Sequence, residues 1–152
     1  MNIHDSEKNP KLRTYKHFKN EYSLETYLTQ NKNLNFPLAL LRLRISSHNL
    51  RIETGRYAKP HKTPVNERIC LYCTQQSVED ESHFIVKCSL YDAERAELYK
   101  VVQEHYITNI HMLSEDDIFI QIMLCEEPNV LSALGKYVYT CLKKRNNTVI
   151  DM

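Results

Sequence analysis

Four residues constrain this chain more than any other feature. Cys70 and Cys73 are separated by two residues, His83 follows after nine more, and Cys88 after a further four. A CxxC turn lets two thiolates approach one ion from the same side while backbone N–H groups soften their charge. A His and a Cys from the next segment can then close a tetrahedron. Three thiolates and a neutral imidazole suit Zn²⁺ and leave no open position for water. The spacing therefore predicts a structural site whose binding energy goes into local folding. Residues 65–88 offer few large apolar side chains to hold them otherwise. Free Cys often behaves as a small hydrophobe, but here Arg68 and the run Glu79-Asp80-Glu81 surround the candidate ligands with charge. Cys125 and Cys141 lie on apolar helical stripes and are expected in the core, and His61 is a substitute ligand in a loop.

Other chemistries of the same residue types fit poorly. A thioredoxin-like CxxC needs a βαβ setting that this region lacks. A zinc deaminase needs H-x-E and P-C-x-x-C, whereas Phe84-Ile85 follow His83 and Ile69 precedes Cys70. Two glycines in 152 residues are too few for phosphate-cradling loops. Five cysteines, an odd number, and a start without a basic-then-apolar pattern predict reduced thiols in an intracellular protein of nucleus or cytoplasm, not a secreted one. The longest apolar stretch, Ile118 to Cys125, is interrupted by Gln121 and falls far short of a bilayer span, so no membrane partner is expected.

The apolar periodicity predicts a mostly α protein, a small helical domain with an embedded Cys3His zinc-stabilised loop. Residues 1–10 form a flexible tail, 11–60 a basic helical segment, 61–91 the zinc-binding segment and 92–147 the C-terminal helices of one compact unit. Leu12, Tyr15, Phe18, Tyr22, Leu24, Tyr27 and Leu28 trace a first stripe. Pro37 opens a second helix with Leu38, Leu41 and Ile45 on one face and Arg42 and Arg44 pointing away. Ser89 and Ser114 begin capping boxes for helices carrying Arg95, Leu98, Tyr99, Val102 and Tyr106, then Ile118, Phe119, Ile122 and Met123. Pro128 opens the last helix, with Leu131, Leu134, Val138, Cys141 and Leu142 inward. Lys143-Lys144-Arg145 complements that helix's dipole.

The formal net charge of +1 hides an asymmetry: residues 1–60 carry 11 Lys and Arg against 5 Asp and Glu, and both later stretches are acidic. Local potential, rather than total charge, steers encounter with a partner. The exposed cations expected there are Lys11, Arg13, Lys16, Lys19, Arg42, Arg44, Arg51, Arg56 and Lys59. Tyr15, Phe18, Tyr22 and Tyr57 lie among them and could stack on bases, although their spacing also fits an apolar helical face.

Several groups occur in one order: Leu41-Arg42-Leu43-Arg44, Thr54-Gly55-Arg56-Tyr57, Arg68-Ile69-Cys70-x2-Cys73, Val78-Glu79-Asp80-Glu81-x-His83-Phe84, and Cys88-x2-Tyr91-x3-Arg95. This series resembles the C-terminal zinc-binding region that follows the reverse transcriptase in non-LTR (LINE-like) retrotransposon proteins of animals. The likeness spans roughly residues 11–145, and Leu134-Gly135-Lys136 and Lys143-Lys144-Arg145 fit its closing helix. In one place Ile45-Ser46-Ser47-His48 stands where that family carries Leu-Arg-x-Gly. The resemblance implies Zn²⁺ on Cys70, Cys73, His83 and Cys88, and association with RNA or DNA and with other retrotransposon proteins. It does not imply catalysis by this chain. Templated synthesis needs carboxylates holding two metal ions, and the single Asp-Asp pair, Asp116-Asp117, follows Ser114-Glu115 as a helix start. A non-catalytic nucleic-acid module is therefore expected. The alternatives are a helical protein-interaction domain with a purely structural zinc, and a decayed element fragment without function.

Overall fold

The computed structural model describes residues 33–148 together with Phe18 and Leu28. The expectations for the 1–10 tail and for Lys11, Arg13, Lys16 and Lys19 lie outside the described residues. The helices are α1 (Asn35–Arg44), α2 (Arg51–Thr54), α3 (Asp92–His105), α4 (Glu115–Leu124) and α5 (Pro128–Asn147). Between α2 and α3 lie short 3₁₀ turns and a π turn, His83–Lys87. Among the described residues no strand forms, and the single extended pairing is an antiparallel bridge between Ile69 and Val78. The protein is a mostly helical unit with the Cys3His cluster embedded in it.

α5 is the axis of the fold. Pro128 occupies its first turn, where the missing N–H costs nothing, and the Glu127 carboxylate caps it by accepting from the Val130 amide at 2.8 Å. Val130, Leu131, Leu134, Val138 and Cys141 are buried along it, against α1 on one side and α3 on the other. α4 is capped as its sequence predicts: the Asp117 amide donates to Ser114 Oγ at 3.1 Å. No such cap forms at Ser89, because residues Ser89–Tyr91 coil into a 3₁₀ turn and Tyr91 stands at the N-cap of α3.

α1 is rotated from the face that its spacing predicts. Leu40 and Leu43 are fully buried, while Leu38 is 38% exposed and Leu41 and Ile45 are half-buried. With leucine at 38, 40, 41 and 43, more than one stripe is apolar, and packing on α5 selects the Leu40/Leu43 stripe. The same rotation carries Arg44 inward, since it lies four residues from Leu40.

Gly135 sets how closely α1 and α5 approach. A Cβ there would stand 2.8 Å from the Phe36 carbonyl oxygen, which is backbone and cannot swing aside. Alanine would gain about 1 kcal/mol of helix propensity but force the helices apart. Gly135→Ala should therefore destabilise the protein by about 1–3 kcal/mol, seen as a lower urea midpoint at unchanged slope. A midpoint at or above wild type would show that α1 shifts freely.

Candidate metal centre

The four candidate ligands come from two local structures that their sequence spacing explains. Cys70 and Cys73 sit on a tight hairpin held by the Ile69–Val78 bridge and by the Cys70 amide donating to the Ser77 carbonyl at 2.9 Å. Gln76 takes a left-handed conformation, φ 51°, to close it. Each cysteine of the set accepts a backbone amide two residues on: Tyr72 N–H to Cys70 Sγ at 3.5 Å, Gln75 N–H to Cys73, and Leu90 N–H to Cys88. These amides offset thiolate charge.

His83 and Cys88 are five apart, which in an α-helix would place them on different sides. The π turn solves this: the Cys88 amide donates to the His83 carbonyl at 2.8 Å, an i+5 closure that returns the chain to the same side. Asp80 caps the turn by accepting from the His83 amide at 2.8 Å.

The result is a cluster whose ligand atoms all lie within 4.8 Å of one another. Cys70 Sγ is 3.8 Å from Cys88 Sγ, and Cys73 Sγ is 3.4 Å from His83 Nε2. A tetrahedron with Zn–S and Zn–N bonds of ordinary length has edges of about 3.8 Å between sulfurs and about 3.6 Å from sulfur to nitrogen. Cys70, Cys88 and His83 are buried, and Cys73 is half-buried. Nδ1 of His83 is buried without a hydrogen-bond partner among the described residues, so Nε2 is the ring nitrogen aimed at the other ligands.

Protonation is frustrated in this cluster. The Cys88 sulfur beside it pushes the Cys70 thiol down to about 4, and the same contact pushes Cys88 upward, so the pair holds one proton between two sulfurs. Burial raises Cys73. A divalent cation held by all three as thiolates would remove the conflict. The other two thiols contrast with these. Burial raises Cys125, and it pushes Cys141 up to about 12, which leaves both as inert core side chains. His61 is exposed and stands outside the cluster.

Two features around the site differ from the sequence-based picture. The segment is not poor in core residues, because Phe84, Ile85 and Val86 are all buried in the main cluster. Nor is the acidic run a solvated surface. Glu79 is buried between Arg145, with Nε–Oε1 and Nη2–Oε2 both at 2.7 Å, and the Arg51 amide at 2.8 Å. Glu81 is buried and accepts from His48 at 2.9 Å and Ser46 at 3.3 Å.

Buried arginines clamp the backbone around the site. Arg95 donates to the Ile85 carbonyl at 2.9 Å and the Cys88 carbonyl at 2.6 Å. Arg68 donates to the Ile52 carbonyl at 2.6 Å and the Thr63 carbonyl at 2.9 Å, and its stem lies against Gly55, where a Cβ would come within 2.7 Å of it. Tyr137 adds its hydroxyl to the Phe84 carbonyl at 2.8 Å.

The candidate nucleic-acid residues are divided by the fold. Arg44 is buried and donates to the Met123 carbonyl at 3.0 Å, so it is not a surface cation. Arg56 pairs with Glu53 at 3.2 Å, and Arg51 is half-buried. Arg42 and Lys59 are exposed. Phe18 is half-buried against the core and packs edge-on on Phe119 with centroids 5.9 Å apart, so its ring is already engaged. Tyr57 is 64% exposed. Among the described residues no helix is long and apolar enough to cross a membrane.

Comparison with protein-family models, curated proteins and solved structures returns no significant match.

Proposed function

We propose that this chain is a non-catalytic nucleic-acid-binding module, akin to the zinc-binding region that follows the reverse transcriptase in non-LTR retrotransposon proteins. In this reading Zn²⁺ on Cys70, Cys73, His83 and Cys88 fixes the hairpin and the π turn. RNA or DNA is the partner, other retrotransposon proteins are secondary ones, and the protein works in nucleus or cytoplasm. The observation that carries it is a Cys3His set whose ligand atoms lie within 4.8 Å of one another, with two of its distances, 3.8 and 3.4 Å, close to tetrahedral edges. Further support comes from the residues of the resemblance: Gly55, Arg68, Glu79, Glu81 and Arg95 all pack or bond around that set. A set of four protein ligands leaves no site for a metal-bound water, so the ion's role is structural.

A second reading, a protein-interaction domain, is favoured by one observation. Met112 just before α4 and Ile120 and Leu124 along it are exposed, and Glu115, Asp116 and Asp117 in its first turn would repel phosphate.

Metal analysis should find one zinc per chain. Because the ligands must be deprotonated, protons compete with the ion, and zinc should be released as the pH falls and not as it rises. Fluorescence anisotropy with labelled RNA and DNA should show binding whose log K falls with log[salt] by roughly 0.7–0.9 per phosphate neutralised. A Kd weaker than about 10⁻⁴ M for every nucleic acid, even at low salt, would sink the nucleic-acid reading in favour of the protein-interaction one.

A further inference from the structure

We infer that the groove between α1 and α5 is a seat for a single strand of nucleic acid, with Arg42 and Lys143 on its phosphates and Tyr139 against a base. The inference rests on the nucleic-acid reading above and assigns it a surface.

The argument starts from basic residues whose role the fold does not use up. In Lys143-Lys144-Arg145, two side chains turn inward: Lys144 bonds the Leu90 carbonyl and Glu94, each at 2.9 Å, and Arg145 holds Glu79. Lys143 is exposed, and among the described residues it has neither an acidic partner nor a hydrogen bond. In Arg42-Leu43-Arg44, Arg44 turns inward and Arg42 is left in the same condition. These two unused cations, 101 positions apart, line one groove of about 600 Å³.

The rest of the lining suits an unpaired strand. No Asp or Glu is among the described residues that line it, so nothing there repels phosphate. Asn35, Asn49 and Asn146 supply amide donors and acceptors that match base edges exposed only when bases are unpaired. Asn49 donates to Asn146 at 2.7 Å, which ties the α1–α2 loop to the end of α5. Tyr139 is 37% exposed, and its other side leans on Phe36 with centroids 5.5 Å apart, so the ring is held in place. Cations beside a fixed aromatic ring are the usual elements of a single-strand site, because every base has a π face.

The test uses the full zinc-loaded chain and labelled 12-nucleotide oligo-U, oligo-dT and a duplex of the same length. Arg42→Gln/Lys143→Gln should weaken single-strand binding roughly 10- to 30-fold at 0.1 M salt and flatten the log K–log[salt] slope by about 1.4, or about 0.7 per lost contact. Tyr139→Ala should cost roughly 5- to 150-fold while Tyr139→Phe keeps binding. Lys62→Gln/Lys100→Gln, off the groove, should change little. Arg42 and Lys143 are exposed, so their variants keep the test valid if Tyr139→Ala lowers the melting temperature. Wild-type affinity in the Arg42/Lys143 variant would overturn the groove and leave the wider reading standing. Absence of wild-type binding would remove both. Displacement by polyglutamate as effective as by oligo-U would assign the groove to an acidic peptide, and equal duplex affinity unmoved by Tyr139→Ala would overturn the single-strand assignment.

Discussion

Cys88→Ala should abolish stoichiometric zinc binding and destabilise the protein by at least about 5 kcal/mol, a third or more of the stability of an ordinary domain. At this chain length that is a fall of roughly 10–20 °C in melting temperature. The cost is large because Cys88 is buried and its sulfur is the close neighbour of Cys70. Alanine leaves the remaining ligands with a three-coordinate ion or none. Cys73→Ala should be milder, because Cys73 is half-buried and water can stand in for it. The damage should also be local at first. Phe84, Ile85 and Val86 keep the π turn in the core, and α1, α3 and α5 contain no ligand. Far-UV circular dichroism should thus keep most of its helical signal, while amide exchange accelerates over residues 68–79. A Cys88→Ala protein that retains full zinc and wild-type melting would refute the assignment of the site.

The Cys3His cluster and most helices were legible in the sequence because both depend on local spacing. Ser114 and Pro128 mark helix starts through contacts made within one turn, and H-x4-C is a spacing that a single π turn satisfies. What stayed hidden depends on partners far along the chain. Arg44 could not be known to turn inward until α5 had chosen a face of α1. Arg145 looked like a complement to the dipole of α5, yet its partner Glu79 is 66 residues away. Phe84-Ile85-Val86 has no periodicity short enough to separate a buried turn from a strand, and Ser89 failed as a cap because a 3₁₀ turn intervened. Charge alone did not mark surface here: Arg44, Arg68, Arg95 and Arg145 are all buried, with their guanidinium groups on backbone carbonyls or a carboxylate.

Arg145→Met should destabilise the folded, zinc-loaded protein by about 3–5 kcal/mol, or roughly 6–20 °C. Glu79 is 1% exposed, and its carboxylate would keep the Arg51 amide but lose both guanidinium bonds. An uncompensated buried charge is what makes breaking such a pair costly, more than any net worth of the pair itself. Burial works against the charged guanidinium, but the Glu79 bonds outweigh it and hold Arg145 above the usual arginine range, so it stays charged across accessible pH. Glu79→Leu/Arg145→Met removes both charges and should recover most of the loss, which a double-mutant cycle will register as a coupling of several kcal/mol. The pair also reaches the metal centre. Arg145 lies 4.9 Å from the centroid of the Tyr72 ring, inside the CxxC turn, while Glu79 anchors the returning arm of the same hairpin through its amide on the Arg68 carbonyl at 2.9 Å. Loosening both arms should therefore weaken zinc about 10- to 100-fold in a chelator competition, the range seen when supporting partners of metal ligands are lost. A loss below about 1 kcal/mol with unchanged zinc affinity would mean that the pair behaves as an exposed one, and that the hairpin is held by the ion alone.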